Sequence, residues 1–158
     1  AIPHIKRLRI HTRLPVVLPE RLDNAFSGWF TQLPIQKILV LHVNHANEVS
    51  PALKRRLETL RNQGVTLLNQ SVLLEGVNDS ADALCELSES LFEAGVLPYY
   101  LHVLDKVQGA SHFYVSDDKA REIMREAIKR LPGFLVPKLV REIGAQPGKT
   151  PIDLQLHP

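Results

Sequence analysis

The segment Ile35–Leu74, IQKILVLHVNHANEVSPALKRRLETLRNQGVTLLNQSVLL, runs strand, helix, glycine, strand, and its reading decides the fold. Ile38-Leu39-Val40-Leu41 is an almost unbroken apolar run, which suits a strand buried on both faces of a parallel sheet, and the strand is expected over 35–43. Ser50-Pro51 is a helix start, with serine as cap and proline at the first helical position. Leu53, Leu57 and Leu60 then recur on one helical face. Gly64 supplies the residue that a helix C-terminus often needs, and Val65–Leu74 is the next strand.

Moving outward, the unit repeats. Asp79 or Ser80 opens a helix whose apolar face holds Leu84, Leu87 and Leu91; Gly95 closes it, and a strand is expected over 97–104. Ser116 opens another helix, with Ile123, Ala127 and Leu131 on one face, Gly133 after it and an apolar run from Phe134. Upstream, Arg7–Pro15 reads as a strand and Glu20–Thr31 as a less regular helix. Alternation of this kind predicts an α/β fold with a parallel sheet, built from about four βα units and a C-terminal tail. A complete (β/α)8 barrel needs about 250 residues. A chain of 158 residues is therefore expected to form part of a barrel or a small open sheet.

Composition narrows the function classes. With 44% apolar and 23% charged residues the chain reads as a soluble globular protein. A net charge of +2 offers no field that argues for nucleic acid or an anionic membrane. No apolar run approaches the roughly 20 residues of a membrane span. The opening Ala1-Ile2-Pro3-His4 leads into Lys6, Arg7 and Arg9, which predicts no signal peptide, and the absence of an initial methionine suggests a chain that begins mid-protein. The single cysteine, Cys85, excludes an internal disulfide and fits a reducing cytoplasm. It lies on the apolar side of its helix and reads as a small core residue.

Polar residues collect at the C-terminal ends of the expected strands, where parallel α/β folds bind ligands. They are Arg9, His11 and Arg13; His42, Asn44 and His45; Asn69, Gln70 and Ser71; and His102 and Asp105. Buried polar groups cost free energy unless partnered, so one face carrying this set suggests a site for a polar ligand. Taken singly, each has a structural explanation. Asn69 and Gln70 can satisfy loop backbone, and Asp105 can pair with Lys106. His42 and His45 are poorly spaced for a metal, and no zinc site is expected. Tyr99-Tyr100 and Trp29 read first as packing residues. Lys149, held between Pro147-Gly148 and Thr150-Pro151, is either a surface lysine or an amine presented on a stiffened loop to a carbonyl. No Walker A loop, dinucleotide fingerprint or G-x-S-x-G elbow is present, and no nucleophile–base pair is visible.

The segments RLRIHTRLPVVLPERL, HVNHANEVS, LLNQSVLLEGVNDS and LPYYLHVLDKVQGASHF resemble the second half of lysine 2,3-aminomutases, and PGKTPIDLQLHP resembles the elongation factor P (R)-β-lysylation branch. The resemblance covers essentially the whole chain. It implies the C-terminal part of a radical S-adenosylmethionine partial (β/α)6 TIM-like barrel over 1–133, and a tail over 134–158 that carries the pyridoxal phosphate lysine. In that family an N-terminal C-x3-C-x2-C motif holds a [4Fe–4S] cluster that cleaves S-adenosylmethionine. The resulting radical takes hydrogen from the β-carbon of L-lysine bound to pyridoxal phosphate, and the amino group migrates from the α- to the β-carbon. By position, Lys149 matches the pyridoxal phosphate lysine. Asp105 matches a carboxylate for the ammonium of the substrate side chain, and His42 and Gln70 match positions near S-adenosylmethionine. The chain departs from the family in two respects. The stretch Ile143–Gly148 lacks the second aspartate of the fermentative enzymes, and the cluster motif is absent from a chain with one cysteine. The resemblance thus implies a catalytically incomplete piece of a cytoplasmic enzyme that supplies (R)-β-lysine to elongation factor P. The alternative is a non-catalytic half-barrel that self-associates and binds at most a phosphate-bearing ligand. Open strand edges lead us to expect a homo-oligomer in either case.

Overall fold

The computed structural model describes residues 4–104, 111–144 and 146–156. Six strands form one sheet in sequence order: β1 (Arg7–Thr12), β2 (Gln36–Leu41), β3 (Thr66–Leu73), β4 (Leu97–Val103), β5 (Lys138–Arg141) and β6 (Thr150–Pro151). The first five are parallel, and β6 returns antiparallel against β5. The helices are α1 (Leu14–Val17), α2 (Asn24–Thr31), α3 (Pro51–Asn62), α4 (Ala81–Glu93) and α5 (Asp117–Arg130). The expected parallel α/β architecture is therefore present, and 134–158 adds the fifth parallel strand to it.

Local chemistry sets the element boundaries. Ser50, Ser80 and Ser116 cap α3, α4 and α5 by accepting backbone N–H bonds from Leu53, Ala83 and Lys119. Ser80 rather than Asp79 is thus the cap of α4. Gly64 and Gly95 follow α3 and α4 at φ +79° and +76°, where a side chain would be strained. Gly133 does not act in this way. The helix α5 ends because Pro132 forces Leu131 to an extended conformation, and Gly133 opens a short 3-10 turn before β5. At the N-terminus two expectations are corrected. The first strand stops at Thr12 rather than Pro15, since Pro15 sits in the first turn of α1 and the Thr12 hydroxyl accepts from Leu14 N at 3.1 Å. The expected helix over 20–31 divides into a 3-10 turn at Pro19–Arg21 and α2, which is capped by Asp23.

The helices cover one face of the sheet. Leu39, Leu41 and Leu67 pack there with Phe30, Leu53, Leu57, Leu60, Leu87 and Leu91. A second cluster joins Leu73, Leu101, Val103 and Leu139 to Leu84, Ile123, Met124 and Ala127. The helix α4 contributes to both and welds them into one layer. Cys85 lies in the second cluster, where burial raises its thiol pKa, as expected of an inert core residue. Strand alternation sends the intervening residues to the opposite, helix-free face.

Candidate active site

The helix-free face carries the polar set. On β1, Leu8 and Ile10 pack toward the helices, so Arg9 and His11 face the other way. Two residues beyond Val40, His42 meets His11 edge-on with ring centroids 5.8 Å apart. On β3, Asn69 and Ser71 point into the helical layer, leaving Gln70 on the open face. Gln70 registers against Tyr100, and Val72 against His102. A register shift at Asn69/Gln70 accommodates one extra residue in β4 and sets the Tyr99 and Tyr100 rings side by side, with centroids 3.9 Å apart. That bulge also keeps Leu101 and Val103 in the core while Tyr100 and His102 face the site.

Side chains hold the β2 exit in place of the sheet ladder. Asn69 is 1% exposed; its Oδ1 accepts from Val43 N at 2.9 Å and its Nδ2 donates to Val43 O at 3.0 Å. The Ser71 hydroxyl donates to the same carbonyl at 2.8 Å. Val72 N donates to Asn44 Oδ1, and Asn78 Nδ2 donates to Asn44 O. Glu48 Oε2 accepts from Asn44 N and His45 N, while its other oxygen pairs with Arg13 at 2.5 Å. Arg13 also donates to His42 O at 3.0 Å. These bonds splay β2 from β3 and fix the segment that presents His42. Asn69 satisfies loop backbone, as its structural explanation held; Arg13 ties the β1 and β2 ends together. His45 Nδ1 accepts from Asn47 N within a 3-10 cap and does not partner His42. Among the described residues no group of three or more His, Cys, Asp or Glu converges to hold a metal ion.

Lys149 lies on the same face. Its Nζ sits 5.7 Å from the centroid of the Tyr100 ring and 3.6 Å from Glu142 Oε1. The Lys149 side chain is 21% exposed, far less than a free surface lysine. The segment that carries it is pinned behind it. Ile152 N donates to Leu139 O at 3.0 Å, and Arg121 and Arg125 of α5 donate to the carbonyls of Asp153 and Leu154 at 3.0 and 2.8 Å. The Tyr99 and Tyr100 hydroxyls share a hydrogen bond at 3.1 Å; that bond and burial raise the Tyr100 pKa, so the ring under Lys149 is a neutral phenol.

The histidines of this face are held neutral. Burial lowers the pKa of His11, His42 and His102, and the charge of Lys149 lowers each further, together with Arg9 at His11 and Arg13 at His42. His102 falls to about 4, with Glu142 opposing the shift. Three buried atoms here, His42 Nε2, Gln70 Oε1 and His102 Nε2, have no protein partner. An amine over an aromatic ring and unpartnered polar atoms on one face fit a polar, carbonyl-bearing ligand beside Lys149 and a second polar ligand at His42 and Gln70. Asp105 lies outside the described residues. Sequence reading placed His102 in the polar strand-end set without giving it a ligand, and did not assign Tyr100 or Glu142 to the site. The i, i+2 spacing of Tyr100 and His102 opposite Gln70 was a usable signal, whereas the 142–149 contact was not visible in the sequence.

Against models of known protein families the chain has no match. Among curated sequences, the chain is 62% identical over 157 residues to the L-lysine 2,3-aminomutase of Escherichia coli (strain K12), covering 99% of this chain and 46% of that protein. Its relatives are L-lysine 2,3-aminomutases. The aminomutase of Haemophilus influenzae is 52% identical over 149 residues, covering 94% of this chain and 44% of that enzyme. That of Methanococcus maripaludis is 38% identical over 153 residues, covering 96% and 35%. The chain spans about half the length or less of the aminomutases it matches. Among solved structures, a radical SAM methyltransferase from Sphaerobacter thermophilus superposes with a TM-score of 0.58 at 19% identity, over 86% of this chain and 40% of that one. That likeness is one of fold, and the sheet is accordingly part of a TIM-like barrel.

Proposed function

We propose that this chain is the C-terminal, ligand-binding half of a radical lysine 2,3-aminomutase that converts L-lysine to (R)-β-lysine for modification of elongation factor P. The observation that carries the reading is the Lys149 amine over the Tyr100 ring, on the polar face of a chain 62% identical to an L-lysine 2,3-aminomutase. Bound pyridoxal phosphate would supply a carbonyl and an electron-delocalising ring, and S-adenosylmethionine a radical source. The chain's own residues do the rest. Lys149 binds the coenzyme carbonyl, and its pinned loop fixes the approach geometry. The Tyr100 ring shields the amine from water. Unpartnered His42 Nε2 and Gln70 Oε1 hold the polar atoms of S-adenosylmethionine, oriented by the Asn69, Arg13 and Glu48 bonds. Asp105 binds the distal ammonium of the substrate, which sets the length of the amino acid accepted. The cluster ligands belong to the other half, so this chain alone is inactive. The segment from residue 134 onward, which adds β5 to the sheet, also carries the coenzyme lysine, and the parent works in the cytoplasm.

A covalent trap tests this. The protein is incubated with pyridoxal phosphate, reduced with borohydride and mapped by peptide mass spectrometry. Saturable labelling concentrated on Lys149, and lost in Lys149→Ala, is expected. Equal labelling across the lysines, with no preference for Lys149, would overturn the reading.

A further inference from the structure

His102 stands on the second of the two site-facing positions of β4 and is 7% exposed, yet its Nε2 has no protein partner. Its neighbours along the same strand, Leu101 and Val103, are core aliphatics, and its cross-strand partners are Val72 and Val140. Packing alone would be served as well by another aliphatic residue there, and a buried imidazole with an idle nitrogen is a cost to the fold. Such a cost persists where the atom has a use in the bound state. The surroundings indicate the use. The Tyr100 ring is edge-on at 5.9 Å, and Tyr100 in turn lies under the Lys149 amine. Besides burial, the charged side chains that act on the imidazole are Lys149 and Glu142. His42 and Gln70 bring the other two idle atoms of the same face.

We infer that His102 is a further binding residue of this site, its Nε2 forming a hydrogen bond to the carbonyl-bearing phosphate ester that attaches to Lys149. The inference rests on the reading of Lys149 given above and assigns a coenzyme contact to a different strand. The imidazole is neutral at physiological pH, so it contributes one directional hydrogen bond without repelling the Lys149 ammonium. It also does not compete with Glu142 for that cation.

The test pairs stability with binding in His102→Leu and His102→Gln. Leucine removes the idle polar atom and keeps the volume; glutamine keeps a polar atom at similar reach. For His102→Leu the melting temperature without ligand is expected to hold or rise, while half-saturation of Lys149 labelling by pyridoxal phosphate shifts about tenfold higher. His102→Gln is expected to recover part of that loss. A lowered melting temperature in His102→Leu would assign the imidazole to the fold and overturn the inference even if the coenzyme did not bind. Unchanged labelling in His102→Leu, with wild-type labelling still specific for Lys149, would overturn it while leaving the coenzyme site intact. Failure of the wild type to label Lys149 would instead strike the reading of Lys149.

Discussion

At the scale of single residues, neutral histidines make stability depend on pH in a defined direction. His102 binds its proton at about 4 in the folded chain and near 6.5 when unfolded. Between those values the unfolded state carries more protons, so folding weakens as pH falls through the window. His11 and His42, also lowered, act in the same sense. Urea unfolding at pH 7 and at pH 4.5 should therefore differ by about 2–3 kcal/mol from His102 alone. His102→Leu should flatten that dependence, and a slope unchanged by the substitution would count against a buried neutral imidazole. Polarity at the strand ends was readable from the residues. Which of those groups had partners was not: Asn69 is fully bonded and Gln70, its neighbour, has an idle Oε1. Strand parity and the bulge beside them make that difference.

At the scale of elements, the β2 exit is the most heavily bonded loop of the site, and Asn69 is its hub. Asn69→Ala would leave the buried N–H of Val43 unpartnered and its carbonyl short of one bond. The expected cost is about 3 kcal/mol, measured by chemical denaturation. A loss below 1 kcal/mol would mean that water replaces the amide. The closing glycines provide a second comparison. Gly64→Ala meets no atom within 4 Å and should cost about 1 kcal/mol for its left-handed backbone. Gly95→Ala adds a methyl 2.6 Å from Arg61 Nη1 and should cost more, unless the flexible guanidinium swings aside. The helix starts at Ser50, Ser80 and Ser116 follow from cap chemistry alone. The split of the first connecting helix does not, because Pro19 and Asp23 compete to start it.

At the scale of the whole molecule, helices pack on one face of the sheet and the polar residues of the site lie on the other. Among the described residues β1 pairs only with β2, leaving its outer edge bare. Leu14, Val17, Leu18 and Trp29 are exposed on the connection that joins β1 to β2. A bare parallel edge with apolar neighbours favours association, which supports the proposal of a homo-oligomer for the isolated chain. Sedimentation from 5 to about 200 μM should show concentration-dependent mass, reduced by Trp29→Glu. A monomer throughout would count against it.

Period and punctuation by themselves determined the βα alternation, the parallel sheet, the core faces of α3, α4 and α5 and the crowding of polar residues at strand ends. All of these depend on residues near one another in the chain, where apolar spacing, caps and glycines act directly. Only the tertiary structure brought Lys149 over Tyr100 and beside Glu142, placed His11 against His42, and left His102 buried without a partner. Those relations join β1, β2, β4 and the segment after β5. They are set by sheet order, by the bulge in β4 and by curvature, which arise from packing the whole helical layer at once.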